Sequence, residues 1–182
     1  MKLINLMFLP AVMCLLSAIP FDCSSQFIGA HQKRVAPSQN RLPDYILFGT
    51  YFGECAKHCA IMYRYNLKLK SNFLFVDSTD SYFSKRNTSV VFKSHLKSPT
   101  KVELARRLAA CIPKQLITSN KSAERFGCPD CTDGGGIYIE FAQNARIKKF
   151  YIDYNTHELP HDIRIFAESV LTTIEEIKVR KE

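Results

Sequence analysis

Three observations in the sequence predict an α+β domain, an antiparallel sheet of about 4–6 strands with two helices packed on one face. The first is a series of short strand-like segments joined by short links over residues 44–93. The second is a hairpin pattern. Ile137, Ile139 and Phe141 alternate with Tyr138 and Glu140, Gln143-Asn144 makes a short turn, and Phe150, Ile152 and Tyr154 alternate with Tyr151 and Asp153 on the return. The third is a C-terminal stripe of Ile163, Phe166, Val170, Ile174 and Ile177 at the three- and four-residue spacing of an amphipathic helix. The 182 residues are 46% apolar and 12% aromatic with no Trp, a composition that favours sheet.

Taken in order, Met1-Lys2 precedes Leu3 to Ile19, which is apolar apart from Asn5, Pro10 and Ser17. One positive residue before about 15 mostly apolar ones is the pattern of a secretory signal peptide. The run is short for a membrane span and ends at Pro20 and Asp22. Residues 1–22 are therefore expected to be a signal peptide. Cys23-Ser24-Ser25 has the form of a mature bacterial lipoprotein start, which makes Cys23 a lipidation candidate. The preceding Ile19-Pro20-Phe21-Asp22 departs from the lipoprotein pattern, and ordinary cleavage after Ser25 is the alternative. Residues 23–43, polar and carrying Pro37, Ser38, Gln39 and Asn40, read as a linker or tether. Residues 44–182 read as a single domain, long enough to bury a core without obligatory cross-links.

Within that domain the first strand is placed over 44–51, around Tyr45-Ile46-Leu47-Phe48. Gly53 to Cys59 connects it to a second strand, Ala60 to Asn66, largely apolar with Arg64 interrupting. Phe73-Leu74-Phe75-Val76 forms a third, and Ser89 to Lys93 a fourth after a polar, turn-like stretch. Ser98-Pro99 opens a helix, with Thr100 and Glu103 spaced as a capping box. Val102, Ala105, Leu108, Ala109 and Ile112 share its apolar face, and Pro113 ends it before one more turn at Lys114 to Ile117. The hairpin and the last helix, introduced by Leu159-Pro160, complete the order.

The net charge is +8. Its densest clusters are Arg106-Arg107, Arg146-Ile147-Lys148-Lys149 and Lys178-Val179-Arg180-Lys181. Scattered as they are, these read as a solvated basic surface and not as a nucleic-acid footprint.

The chemistry concentrates at Gly127-Cys128-Pro129-Asp130-Cys131-Thr132-Asp133-Gly134-Gly135-Gly136. Cys128-x-x-Cys131 and Cys55-x-x-x-Cys59 each sit on a turn beside a strand, so the fold can bring both to one sheet end. Three chemistries fit them. Structural disulfides suit an oxidising compartment. A zinc site with Cys55, Cys59, Cys128 and Cys131 as ligands suits the two knuckles, with His58 as a substitute ligand. Thiol–disulfide exchange at Cys128 and Cys131 is the third, although a strand follows where such chemistry ordinarily has a helix N-terminus. Spacing leaves the pairing open. Cys111 reads as a buried thiol in the helix. Asp130 and Asp133 read as turn residues, and Gly134, Gly135 and Gly136 as a hairpin entry that needs positive φ and not as a phosphate loop. His157 and His161, four apart but separated by Pro160, read as a loop-to-helix junction.

Gly49-Thr50-Tyr51-Phe52-Gly53-Glu54-Cys55 leading into Met62-Tyr63-Arg64-Tyr65, then Asp133-Gly134-Gly135-Gly136-Ile137-Tyr138-Ile139-Glu140 and the Leu159-Pro160 helix, resembles small bacterial lipoproteins and secreted proteins of unknown function. The resemblance covers Tyr45 to about Ile177. This chain departs from the pattern by lacking a proline after the early cysteine and by carrying the Cys128–Cys131 pair. The resemblance implies a cell-envelope location and no assigned catalysis. Together these readings lead to an extracytoplasmic protein, periplasmic, lipid-anchored or secreted. Its expected role is a non-enzymatic binding or structural domain stabilised by its cysteines, with no cofactor. The expected partner is an envelope protein or surface component, with no nucleic acid, and contact with the membrane only through a lipid at Cys23. The alternative is a zinc-binding or thiol–disulfide redox protein acting at Cys55, Cys59, Cys128 and Cys131.

Overall fold

A computed structural model gives the structure of the chain and describes residues 43–53, 59–69, 73–77, 92, 94–131, 134–143 and 146–179. Cys23, the expected signal peptide, Cys55, His58 and Asp133 lie outside the described residues.

Seven strands form one mixed sheet in the order β4-β3-β2-β1-β6-β7-β5. They are β1 Tyr45–Tyr51, β2 Ala60–Asn66, β3 Leu74–Asp77, β4 Ser94–Leu96, β5 Ala123–Phe126, β6 Gly136–Gln143 and β7 Arg146–Ile152. Among the described residues the helices are α1 Pro99–Ala110, α2 Lys114–Thr118 and α3 His161–Val179, with a 3-10 turn at Thr156–Glu158. The architecture is α+β, as the sequence predicts. It differs in two respects: the described residues form seven strands, and the sheet is not purely antiparallel, because β5 runs parallel to β7.

The alternating pattern sets the two faces. Ile46 and Phe48 of β1, Tyr63 and Tyr65 of β2, Ile137, Ile139 and Phe141 of β6, and Phe150 and Ile152 of β7 all face the helices. Against them pack Ala105, Leu108 and Ala109 of α1, Leu116 of α2, and the predicted stripe Ile163, Phe166, Val170, Ile174 and Ile177 of α3. Phe48 stacks on Tyr63, and Phe141 on Phe150, each with ring centroids 5.5 Å apart. Burying a side chain of this size contributes about 1.5–3 kcal/mol each.

Three local expectations change. The fourth strand is Ser94–Leu96, whereas Phe92, the one described residue of the expected 89–93 strand, is outside any strand. The capping box does not form. Pro99, which has no N–H to satisfy, takes the first helical position, so Ser98 is the N-cap and Thr100 falls inside the helix. Glu103 instead binds Arg106 at 2.6 Å and Arg107 at 3.0 Å, and Arg106 holds its carboxyl down at about 2. Cys111, expected buried, is half-buried at the end of α1 and not in a disulfide.

β5 is the element that the sequence reading missed. Ala-Glu-Arg-Phe has no apolar run, and the strand lies at an edge with alternately exposed positions. Backbone bonds at both of its ends hold it: Lys149 N donates to Ser122 O at 2.9 Å and Asp153 N to Phe126 O at 3.0 Å.

Candidate functional site

The predicted cysteine and glycine segment lies at the sheet end where β1 finishes and β6 starts, since Tyr51 pairs with Gly136. Gly135 has φ of 73°, where an L side chain is strained, and a Cβ there would run into the Tyr51 backbone oxygen and come within 2.6 Å of Phe52 Cα. Gly53 in turn lies against the Asp130 carboxylate. Phe52 N donates to Cys59 O at 2.8 Å. Phe52 and Gly53 after β1, Cys59 at the entry to β2 and the described residues of the 127–136 knuckle therefore meet at one sheet end.

Cys128 is disulfide-bonded to Cys131, with Cα atoms 5.5 Å apart. Cys59 is also disulfide-bonded, and so to neither of these two. A disulfide sulfur offers no thiolate to a metal, so the zinc alternative requires these bonds to be reduced. Among the described residues no group of three or more His, Cys, Asp or Glu is placed to hold a metal ion.

The knuckle is fixed to its neighbours by carboxylates and backbone. Asp153 is the residue that sequence reasoning overlooked. Its Oδ2 accepts from Cys128 N at 2.8 Å and its Oδ1 from Asn155 N at 2.9 Å. The second bond is an Asx turn, a signal readable in Asp153-Tyr154-Asn155. Asp130, with φ of 70°, donates its N–H to Gly135 O at 2.8 Å. His161 Nδ1 lies 3.2 Å from Arg164, consistent with a helix-start role.

The sheet face opposite the helices carries a second cluster of Leu47, Tyr51, Ala60, Met62 and Tyr138, with Tyr45, Phe92 and Tyr151 packed against it. It is built round Glu140, which is only 8% exposed. Tyr45 donates to Glu140 Oε1 at 2.6 Å and Tyr138 to Oε2 at 2.7 Å. Arg64 lies 4.2 Å over the Tyr45 ring and Arg125 lies 5.4 Å over that of Tyr151. The hairpin alternation places Tyr138 and Glu140 on this face, but it gives no hint that both are buried.

Burial pushes the Tyr51 and Tyr63 phenols up to about 12, and burial with the Glu140 hydrogen bond pushes Tyr45 up as well. Each stays neutral in the fold at pH values where its unfolded counterpart, at 10.0, ionises. Raised folded values mean that this stability is fully present below about pH 10 and is lost as pH rises towards 12. Alkaline titration should show tyrosinate absorbance and loss of circular dichroism rising together in that window. A contribution of Tyr51 or Tyr63, read as the difference from Tyr51→Phe or Tyr63→Phe, that titrates around pH 10 with the fold intact would contradict this.

A third feature lies at the hairpin end of the sheet. Between the loop after α2 and the start of β7 runs an open groove of about 550 Å³, lined among others by Asn120, Lys121, Ser122, Gln143, Arg146 and Lys148. A second, smaller recess lined by Gln115 and Phe126 shares Ser119, Asn120 and Lys121 with it. Lys148 donates to Ile117 O at the C-terminal end of α2, where a cation is favoured. Burial, and then the neighbouring Arg146, pull the Lys148 pKa down. Lys121 is paired with Glu124 at 2.9 Å, whereas exposed Arg146 makes no ion pair among the described residues. The signal for this groove was present in the Arg146-Ile147-Lys148-Lys149 cluster, but the loop that faces it depends on the unanticipated β5.

Comparison with protein-family models, curated proteins and solved structures finds no match for this chain.

Proposed function

We propose that this chain is an extracytoplasmic binding domain that takes an anionic surface component in the groove between the α2–β5 loop and β7. The signal-like N-terminus and the cysteine usage support the compartment. One observation carries the binding reading: Arg146 and Lys148 stand two apart on one strand, lining a groove with Lys121, Ile147 and a set of amide and hydroxyl side chains. Like charges held together cost free energy, and a bound anion offsets that cost. The surrounding Asn120, Ser122 and Gln143 supply hydrogen bonds suited to a polar chain with acidic groups.

The test is calorimetric titration of the folded protein with a sulfated oligosaccharide at low and moderate salt. Arg146→Glu should weaken binding at least about tenfold, the loss of one charge-assisted contact. Arg64→Glu, which changes the net charge equally but on the other sheet face, should weaken it much less. Equal effects would reduce the groove to general charge, and absence of binding by the unaltered protein would sink the reading.

A further inference from the structure

We infer that Cys128–Cys131 is an exchangeable disulfide, a site at which an incoming protein dithiol reduces the knuckle while the fold stays intact. The inference is independent of the groove.

Both cysteines are exposed, as is Asp130 between them, so an attacking thiolate has access to either sulfur. The bond spans a sequence separation of only 3. A loop this short restricts the unfolded chain little, so the fold owes little of its stability to this bond. The knuckle keeps its shape by other means. Cys128 N is held by Asp153 Oδ2, Cys131 N donates to Cys128 O at 3.1 Å, and Asp130 N donates to Gly135 O. Pro129 is buried beneath the turn, and Gly53 and Gly135 press the knuckle against the end of β1. None of these contacts uses sulfur as a partner. After reduction the same contacts hold the two Cα atoms at their 5.5 Å spacing, within the range that a disulfide spans, so the pair is poised to close again.

The exchange balances with a partner dithiol. One partner thiolate attacks a knuckle sulfur, forming a mixed disulfide and breaking the Cys128–Cys131 bond, whose other sulfur leaves as a thiolate and takes up a proton. The partner's second thiolate then attacks the mixed disulfide at the partner's own sulfur. The partner departs oxidised, and this chain holds two thiols, having gained two electrons and two protons.

The experiment is stepwise reduction of the oxidised full chain with dithiothreitol, with thiols alkylated at each time and mapped by mass spectrometry. Circular dichroism is recorded in parallel. Cys128 and Cys131 should become alkylatable about tenfold or more faster than Cys59, with the dichroism unchanged. Cys131→Ser should form a stable mixed disulfide at Cys128 when offered oxidised glutathione. Cys128→Ala/Cys131→Ala should keep its melting temperature within about 5 °C of the parent. Reduction of the knuckle only in step with unfolding, failure of Cys131→Ser to form the mixed disulfide, or an unfolded double-alanine variant would each overturn the inference.

Discussion

Gly135→Ala will destabilise the domain by about 3–5 kcal/mol, the sum of a strained backbone and a blocked contact. Gly135 has φ of 73°, and the new methyl group would meet backbone, the Tyr51 oxygen and Phe52 Cα, and not the yielding end of a side chain. Relief requires β1 and the entry to β6 to separate where Tyr51 pairs with Gly136, or the knuckle to lose the bond from Asp130 N to Gly135 O. For a domain of this size the loss corresponds to a fall in melting temperature of about 10 °C or more. The neighbouring Gly134 supplies the control. A Cβ there would lie 3.5 Å from Cys131 O, an ordinary contact, so Gly134→Ala should stay within about 0.5 kcal/mol of the parent. Comparable melting temperatures for the two variants would show that the knuckle is not pressed on β1 as described.

Glu140→Ala is expected to be of similar size, about 3–5 kcal/mol, for a different reason. It removes the acceptor for two phenols on a largely buried face, and each buried donor deprived of its acceptor costs about 1–3 kcal/mol. Glu140→Gln keeps one acceptor oxygen and the side-chain volume and should cost less than half as much. The decisive measurement is a mutant cycle by chemical denaturation. In a Tyr45→Phe/Tyr138→Phe background the same Glu140→Ala change should be milder, because no hydroxyl is left asking for the carboxylate. Strict additivity would mean that the three groups do not act as a unit.

Elements with a strong period were legible in the sequence. Ile163, Phe166, Val170, Ile174 and Ile177 placed α3, and the alternation from Ile137 to Phe141 placed β6 with the correct face to the core. Ala60–Asn66 was bounded correctly at both ends. What stayed hidden depends on contacts from elsewhere in the chain. β5 has no pattern of its own and exists because β7 offers it a free edge in parallel register. The capping box failed because Pro99 opens the helix and so places the N-cap at Ser98, two residues ahead of Thr100. At the site, spacing marked the Cys128–Cys131 knuckle, but it was silent on which sulfurs bond. It was silent also on Asp153, whose bond to Cys128 spans 25 positions. The alternation put Glu140 only on the face opposite Ile139, because a single strand cannot reveal that Tyr45, 95 positions away, reaches its carboxylate.

That long span has a kinetic meaning. The middle of the sheet is the β1–β6 pair, and every neighbour of β1 except β2 arrives after most of the polypeptide has been made. The β1–β4 meander can assemble early from local contacts, but it then presents β1 as a bare apolar edge until the hairpin docks. Closing so large a loop costs conformational entropy before any long-range contact repays it. Folding should therefore be slow for a domain of this length, with the half-built meander as the species most open to aggregation or to capture by a holding chaperone.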